Sequence, residues 1–200
     1  MTSGSSRACR IEGTVAPGFE SVKALYEHNM QTLEERNTQL CVYHRGECVA
    51  DLWGGARNRA GDPWERDTIV NVWSTTKEVT ALAVLMLADR GLVDLHAPVA
   101  TYWPEFAQAG KDKITLRQVL SHQSGLYHIR QMVDRADRML DWEFMIHAIE
   151  EAPPIHPPGE RTGYHGLTYG FLVGEILQRV TGRSFPELVL EELVRPLALD

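Results

Sequence analysis

From Phe19 onward, apolar residues return at helical intervals. Phe19, Val22, Tyr26, Met30 and Leu33 share one side and Glu and Gln residues the other, which predicts a helix from Phe19 to Asn37. The period then changes. Leu40 to Trp53 carries two short apolar-rich runs around Arg45-Gly46, the pattern of two strands joined by a tight two-residue turn, with Gly54-Gly55 ending the second strand. A loop from Ala56 to Asp67 contains Gly61, Asp62 and Pro63, and a short apolar stretch, Ile69 to Trp73, follows it. Between Thr75 and Arg90 the apolar residues Val79, Leu82, Ala83, Leu85, Met86 and Leu87 leave almost no polar side, and Gly91 stands where a C-cap belongs. That pattern predicts a helix buried in the middle of a domain.

Beyond Gly91 the chain reads as mostly helical. Thr115 can cap a short helix through Ser121, Asp141 one through Glu151, and Leu167 to Val180 forms another that Thr181-Gly182 closes. Ser184 opens the last, with Pro186 in its first turn and Glu187 completing a capping box. Ala152 to Glu160 is a stiff proline-rich loop. Gly166, Gly170 and Gly174 fall four apart, which predicts a groove where another helix or strand packs closely.

Composition bounds the function without naming it. Two hundred residues, 44% hydrophobic and 24% charged, suit a folded domain with a real core. A net charge of −7 with no long basic run argues against nucleic acid or an anionic membrane surface as partner. The longest apolar run, Ala81 to Ala88, is far too short to span a membrane. Met1 to Gly18 reads as a disordered leader without the apolar core of a secretory signal, and Cys9, Cys41 and Cys48 make an odd count without metal-ligand spacing. A reduced, cytoplasmic protein is the resulting expectation. The histidines His44, His96, His128, His147 and His156 show no pairing suited to zinc, and no phosphate loop, dinucleotide fingerprint or Gly-x-Ser-x-Gly elbow is present. No cofactor or metal is expected.

The candidate chemistry begins at Ser74-Thr-Thr-Lys77, where the apolar stretch runs into the central helix. Helix geometry returns Lys77 to the face of Ser74 one turn later, so a nucleophile and a base are brought together locally. Alone, the motif is equally met by an N-cap serine and a solvated lysine. Its company carries more weight.

Gly91 to Phe106, Ile114 to Leu126 with Ser121-His-Gln-Ser-Gly125, and Pro158-Gly159 ahead of Tyr164 stand in the order of one family. Over about residues 20 to 200 the chain resembles the serine β-lactamase-like superfamily, closest to the family VIII carboxylesterases, the class C β-lactamases and the DD-peptidases. The resemblance implies an α/β plus all-α architecture of the β-lactamase/transpeptidase-like fold. Residues 19–73 would belong to the sheet-containing part and residues 74–200 to a helical part bearing the Ser-x-x-Lys and tyrosine motifs. It also implies a catalytic set of Ser74, Lys77 and Tyr164, with the phenol brought beside the Ser-Lys pair. His122 matches a segment that is structural in the family, and His165 flanks Tyr164.

Two departures shape the expectation. Gly166 occupies the place of Asn in the family's Tyr-x-Asn. Loss of that donor leaves the amide of a β-lactam or peptidoglycan stem unpaired and leans the reading toward esters. The family's third motif, a Lys/His/Trp-x-Gly strand supplying a second oxyanion donor, has no counterpart between Tyr164 and Asp200. The C-terminal part of the sheet domain is therefore expected to be missing from these residues.

A lysine at its solution pKa of about 10.4 holds its proton at neutral pH, so Ser74 needs another arrangement. Either desolvation neutralises Lys77, or Lys77 stays charged and lowers Tyr164 so that phenolate takes the proton. The expectation is a serine hydrolase acting on small-molecule, short-acyl carboxylic esters, with β-lactamase or DD-peptidase-type activity and a catalytically silent scaffold as alternatives. Neither route nor oligomeric state is decided by sequence.

Overall fold

In the computed structural model, which describes residues 10–33, 35 and 37–199, the chain divides into two units, Met1–Asn71 and Val72–Asp200. The first is a small α/β unit. Strand β2 (Asn37–His44) and strand β3 (Glu47–Gly55) form the hairpin, and both turn residues have positive φ, 52° at Arg45 and 84° at Gly46. That pair of angles belongs to the type I′ turn, whose twist matches the strands it joins. Across the hairpin Leu40 faces Leu52, on the side where Tyr26 and Met30 of helix α1 (Glu20–Thr32) are buried.

The leader expected over residues 1–18 needs correction. Residues 1–9 lie outside the described set, but Ile11–Val15 is a strand, β1, paired antiparallel with β3 to give the order β1-β3-β2. Gly13 makes that pairing possible: its φ is +106° and a Cβ there would lie 1.9 Å from the Asp51 carbonyl oxygen. Helix α1 also stops short of Asn37. The Tyr26 hydroxyl donates to the Thr38 carbonyl at 2.7 Å, and residues from Asn37 on are committed to the sheet.

In the second unit the regular elements are helical. They are α2 (Thr76–Asp89), α3 (Leu116–Leu120), α4 (Ile129–Met132), α5 (Trp142–Glu151), α6 (Thr168–Thr181) and α7 (Phe185–Val189), with 3-10 turns between several of them. Local chemistry sets their ends. The Thr115 hydroxyl accepts from Gln118 N–H, the Asp141 carboxylate from Phe144 N–H, and Ser184 and Glu187 close a reciprocal capping box. Gly91 and Leu92 donate back to the Ala88 and Leu87 carbonyls and so stop α2. At the far end of α5, fully buried Lys111 donates to the carbonyls of Glu150 (2.8 Å) and Ala152 (2.7 Å). Burial pushes its pKa down to about 8.

The core of this unit joins Val84 and Leu87 of α2 to Leu172, Val173 and Ile176 of α6, around Trp103 and Phe106. Each such side chain contributes about 1.5–3 kcal/mol through burial. Helix α2 is not buried all round, contrary to the expectation from its apolar surface. Thr80, Ala83, Val84 and Leu87 face the core, whereas Val79, Leu82 and Leu85 are 37%, 45% and 47% exposed. Among the three glycines spaced by four, only Gly174 meets a close neighbour. A Cβ there would stand 2.9 Å from the Trp142 ring of α5, while Gly170 faces open space and Gly166 meets only the Tyr164 ring at ordinary contact distance.

Candidate active site

Ser74 lies in a 3-10 turn, Trp73–Thr75, that leads directly into α2. Trp73, just ahead of it, has φ +49°, a left-handed conformation that a bulky residue adopts at a cost and that sharpens the chain's entry to the helix. In the first turn of α2, Lys77 Nζ donates to Ser74 Oγ at 3.1 Å. Helical spacing alone delivers this contact.

Tyr164 arrives from the other side of the helical unit, four residues ahead of α6. Lys77 Nζ stands 5.0 Å from the centre of its ring. The phenol is held below its usual pKa, first by its hydrogen bond with Ser74, then by that with Lys77 and by the lysine's charge. The structure thus brings Ser74, Lys77 and Tyr164 together. They are exposed or partly exposed, and Tyr164 is 57% accessible.

What holds Tyr164 is a buried polar cluster behind it. His165 is fully buried, with Nδ1 2.7 Å from the Gly163 carbonyl and Nε2 2.6 Å from Ser124 Oγ. A carbonyl can only accept, so Nδ1 carries the proton and Nε2 accepts from the Ser124 hydroxyl. Burial pushes this imidazole down to about 4, so it is neutral at ordinary pH. The His165 backbone N–H donates to His122 Nδ1 at 3.2 Å, and the Gly163 N–H donates to the His122 carbonyl at 2.9 Å. His122 itself is left-handed, φ +62°, and its ring lies 5.0 Å from those of both Tyr164 and Tyr169. Burial, and then the nearby Lys77 charge, lower its pKa. Gly163 has no room for a side chain, since a Cβ would fall 1.9 Å from the Tyr127 ring.

His122 is hydrogen-bonded through Nδ1 and its carbonyl and is partly buried. His165 touches Ser124 and Gly163 rather than the phenol. Ser124 was missed as a partner because it lies 41 residues from His165. The only signal was its place in the same Ser-His-Gln-Ser-Gly segment as His122.

Among the described residues no three His, Cys, Asp or Glu side chains gather as a metal would need, and no helix is long and apolar enough to cross a membrane. A concavity of about 450 Å3 lies against α4 and α5, lined by residues including His128, Met132, Phe144 and His147. None of Ser74, Lys77 and Tyr164 lines it.

A family model described as Beta-lactamase matches residues 22–200. The chain is 38% identical over 192 residues to Esterase/beta-lactamase LipL of Mycobacterium tuberculosis, covering 96% of this chain and 44% of that protein. Among solved structures it is similar to a penicillin-binding protein homolog from Caulobacter crescentus, with TM-score 0.88 and 38% identity over 96% of this chain and 52% of that one. It is also similar to a family VIII carboxylesterase, with TM-score 0.85 and 39% identity over 94% of this chain and 51% of that one. The chain thus spans about half the length of the proteins it matches.

Proposed function

The chain belongs to the Beta-lactamase family and has the β-lactamase/transpeptidase-like fold of its esterase and penicillin-binding relatives, and from that premise we propose that it hydrolyses short-acyl carboxylic esters through an acyl-enzyme on Ser74. The observation that supports this reading is the meeting of three groups at the entries to two helices: Ser74 Oγ, Lys77 Nζ 3.1 Å from it, and a Tyr164 ring whose centre stands 5.0 Å from Lys77 Nζ and whose pKa both residues lower.

The lowered pKa of Tyr164 supports the phenolate route over a neutral lysine. Phenolate takes the Ser74 proton as Oγ attacks the ester carbonyl, and Lys77 stabilises the phenolate by charge. The developing oxyanion is met by the Ser74 backbone N–H in the 3-10 turn leading into α2, near the positive end of that helix. Collapse expels the alkoxide, which takes the proton from Tyr164. Water then attacks the acyl-enzyme, with the same phenolate as base. The resemblance assigns a second oxyanion donor to a strand motif that no segment between Tyr164 and Asp200 matches.

Substrate class turns on Gly166. A Cβ there would meet only the Tyr164 ring, at 3.7 Å, so packing does not exclude an asparagine and its absence removes an amide donor. The test compares kcat/KM for p-nitrophenyl butyrate and a chromogenic cephalosporin on the longest natural form of the chain. The proposal expects at least about a hundredfold preference for the ester, the scale set when a polar substrate group loses its partner. Equal or reversed preference would transfer the assignment to β-lactamase activity. Inertness toward both, in a folded protein, would favour a scaffold.

A further inference from the structure

Two of the three cysteines meet in the hairpin of the first unit. Cys41 on β2 and Cys48 on β3 have their sulfurs 3.9 Å apart, and both side chains are exposed. The ladder explains the approach. Cys41 pairs with Asp51 and Tyr43 with Cys48, and between Val42 and Tyr43 the register slips so that Val49 has no counterpart on β2. In a regular ladder these cysteines would be diagonal neighbours about 7–8 Å apart at Cα, at the limit of bridging. The bulge sharpens the local twist and draws the two side chains toward one another.

We propose that Cys41 and Cys48 are a thiol modification site, closed by small-molecule disulfides of the glutathione type into an intramolecular cross-strand disulfide. A disulfide needs the sulfurs about 2.05 Å apart, so they have under about 2 Å to travel, within the reach of side-chain rotation and a small shift of a bulged strand. Cys41 also lines an open concavity of about 320 Å3 with Asp51 and Arg66, which gives a small oxidant room to approach.

The chemistry closes in two exchanges. The Cys48 thiolate attacks one sulfur of glutathione disulfide, forming a mixed disulfide and releasing one glutathione thiolate. Cys41, as thiolate, then attacks the Cys48 sulfur, forms the Cys41–Cys48 bond and expels the second. Two protein thiols are oxidised, one glutathione disulfide is reduced to two thiols, and the two protons pass to the released thiolates. Burial, then Cys48 and then Asp51 raise the pKa of Cys41, while Arg66 acts the other way. The site is independent of Ser74 and does not rest on the hydrolase reading.

The test uses the whole chain carrying Cys9→Ser, equilibrated with glutathione disulfide, its free thiols then alkylated, and read by intact mass, peptide mapping and non-reducing gel. The expected product is a monomer lighter by two hydrogens, with one linked peptide pair containing Cys41 and Cys48 and no retained glutathione. Cys41→Ser and Cys48→Ser should each retain a glutathione adduct instead. Because the two cysteines are close in sequence, the same equilibrium is measured in concentrated urea. Closure should there be at least about tenfold less favourable, since the fold sets the effective concentration. Stable adducts on both cysteines, dimers linked through either, or closure as favourable in urea as in the folded chain would overturn the proposal.

Discussion

Helices α2 and α6 are both fourteen residues long and pack against one another, and each begins at a piece of the candidate site: Ser74 just ahead of α2 and Lys77 in its first turn, Tyr164 four residues ahead of α6. Their inner sides are alike, Ala83, Val84 and Leu87 against Leu172, Val173 and Ile176. Their outer sides differ. On α6 the outward positions are Gly170, Gln178 and Arg179, and Arg179 is tied to Glu105 at 2.6 Å and Glu175 at 2.7 Å. On α2 they are Val79, Leu82 and Leu85, and Val72 and Trp73 ahead of the helix are exposed as well. Tyr164 is thus held from within the helical unit, by buried His165 and Ser124, while the serine side of the site stands open.

The comparison is sharpened most by the pair that links the two helices. Lys77→Ala and Tyr164→Phe should each lower kcat for ester hydrolysis by about two to four orders of magnitude, with the double variant little worse than either, since groups acting as one unit are not additive. Steady-state kinetics on variants with wild-type circular dichroism measure this. Near-normal turnover in Tyr164→Phe would return the phenol to a packing role.

A smaller effect separates the two sides of α2 itself. Leu87→Ala should cost about 2–5 kcal/mol in urea unfolding, as should Leu172→Ala on α6. Leu85→Ser should change stability by only about 0.5 kcal/mol and should reduce binding of a hydrophobic dye. Comparable losses at Leu85 and Leu87 would mean that the outer face of α2 is covered in solution.

Buried His165 predicts a pH signature on the α6 side. Unfolded, its imidazole titrates near 6.5; folded, burial holds it at about 4. Above about 6.5 both states are neutral and its contribution is complete. As pH falls from there to about 4 the unfolded chain takes up a proton that the folded chain does not, so stability declines by up to about 3 kcal/mol and the contribution is gone below. His165→Gln should flatten that slope relative to wild type when unfolding free energy is measured at steps between pH 4 and 7. Parallel curves would contradict it.

What sequence made legible in this molecule is local. The Arg45-Gly46 turn and the caps at Thr115, Asp141 and Ser184 each depend on partners within three residues, as does the contact of Lys77 with Ser74. Tyr164 was reached through family resemblance, since no local rule brings it to α2. Strand β1 escaped because five residues with a central Gly13 carry little pattern, and its reason lies in β3 some forty residues on. The Ser124–His165 bond escaped likewise. The outward face of α2 was misjudged because apolarity records what a helix can bury, while burial depends on what is there to cover it.

The most direct test of the Ser74 assignment exploits the presence of two serine–base pairs in one unit: Ser74 with Lys77 at 3.1 Å, partly exposed, and Ser124 with His165 at 2.6 Å, fully buried. A fluorophosphonate needs both an activated hydroxyl and access to it. Peptide mass mapping after labelling should find a single modified residue, Ser74, and no label in Ser74→Ala. Label on Ser124 or Ser121, or label that persists in Ser74→Ala, would contradict the account.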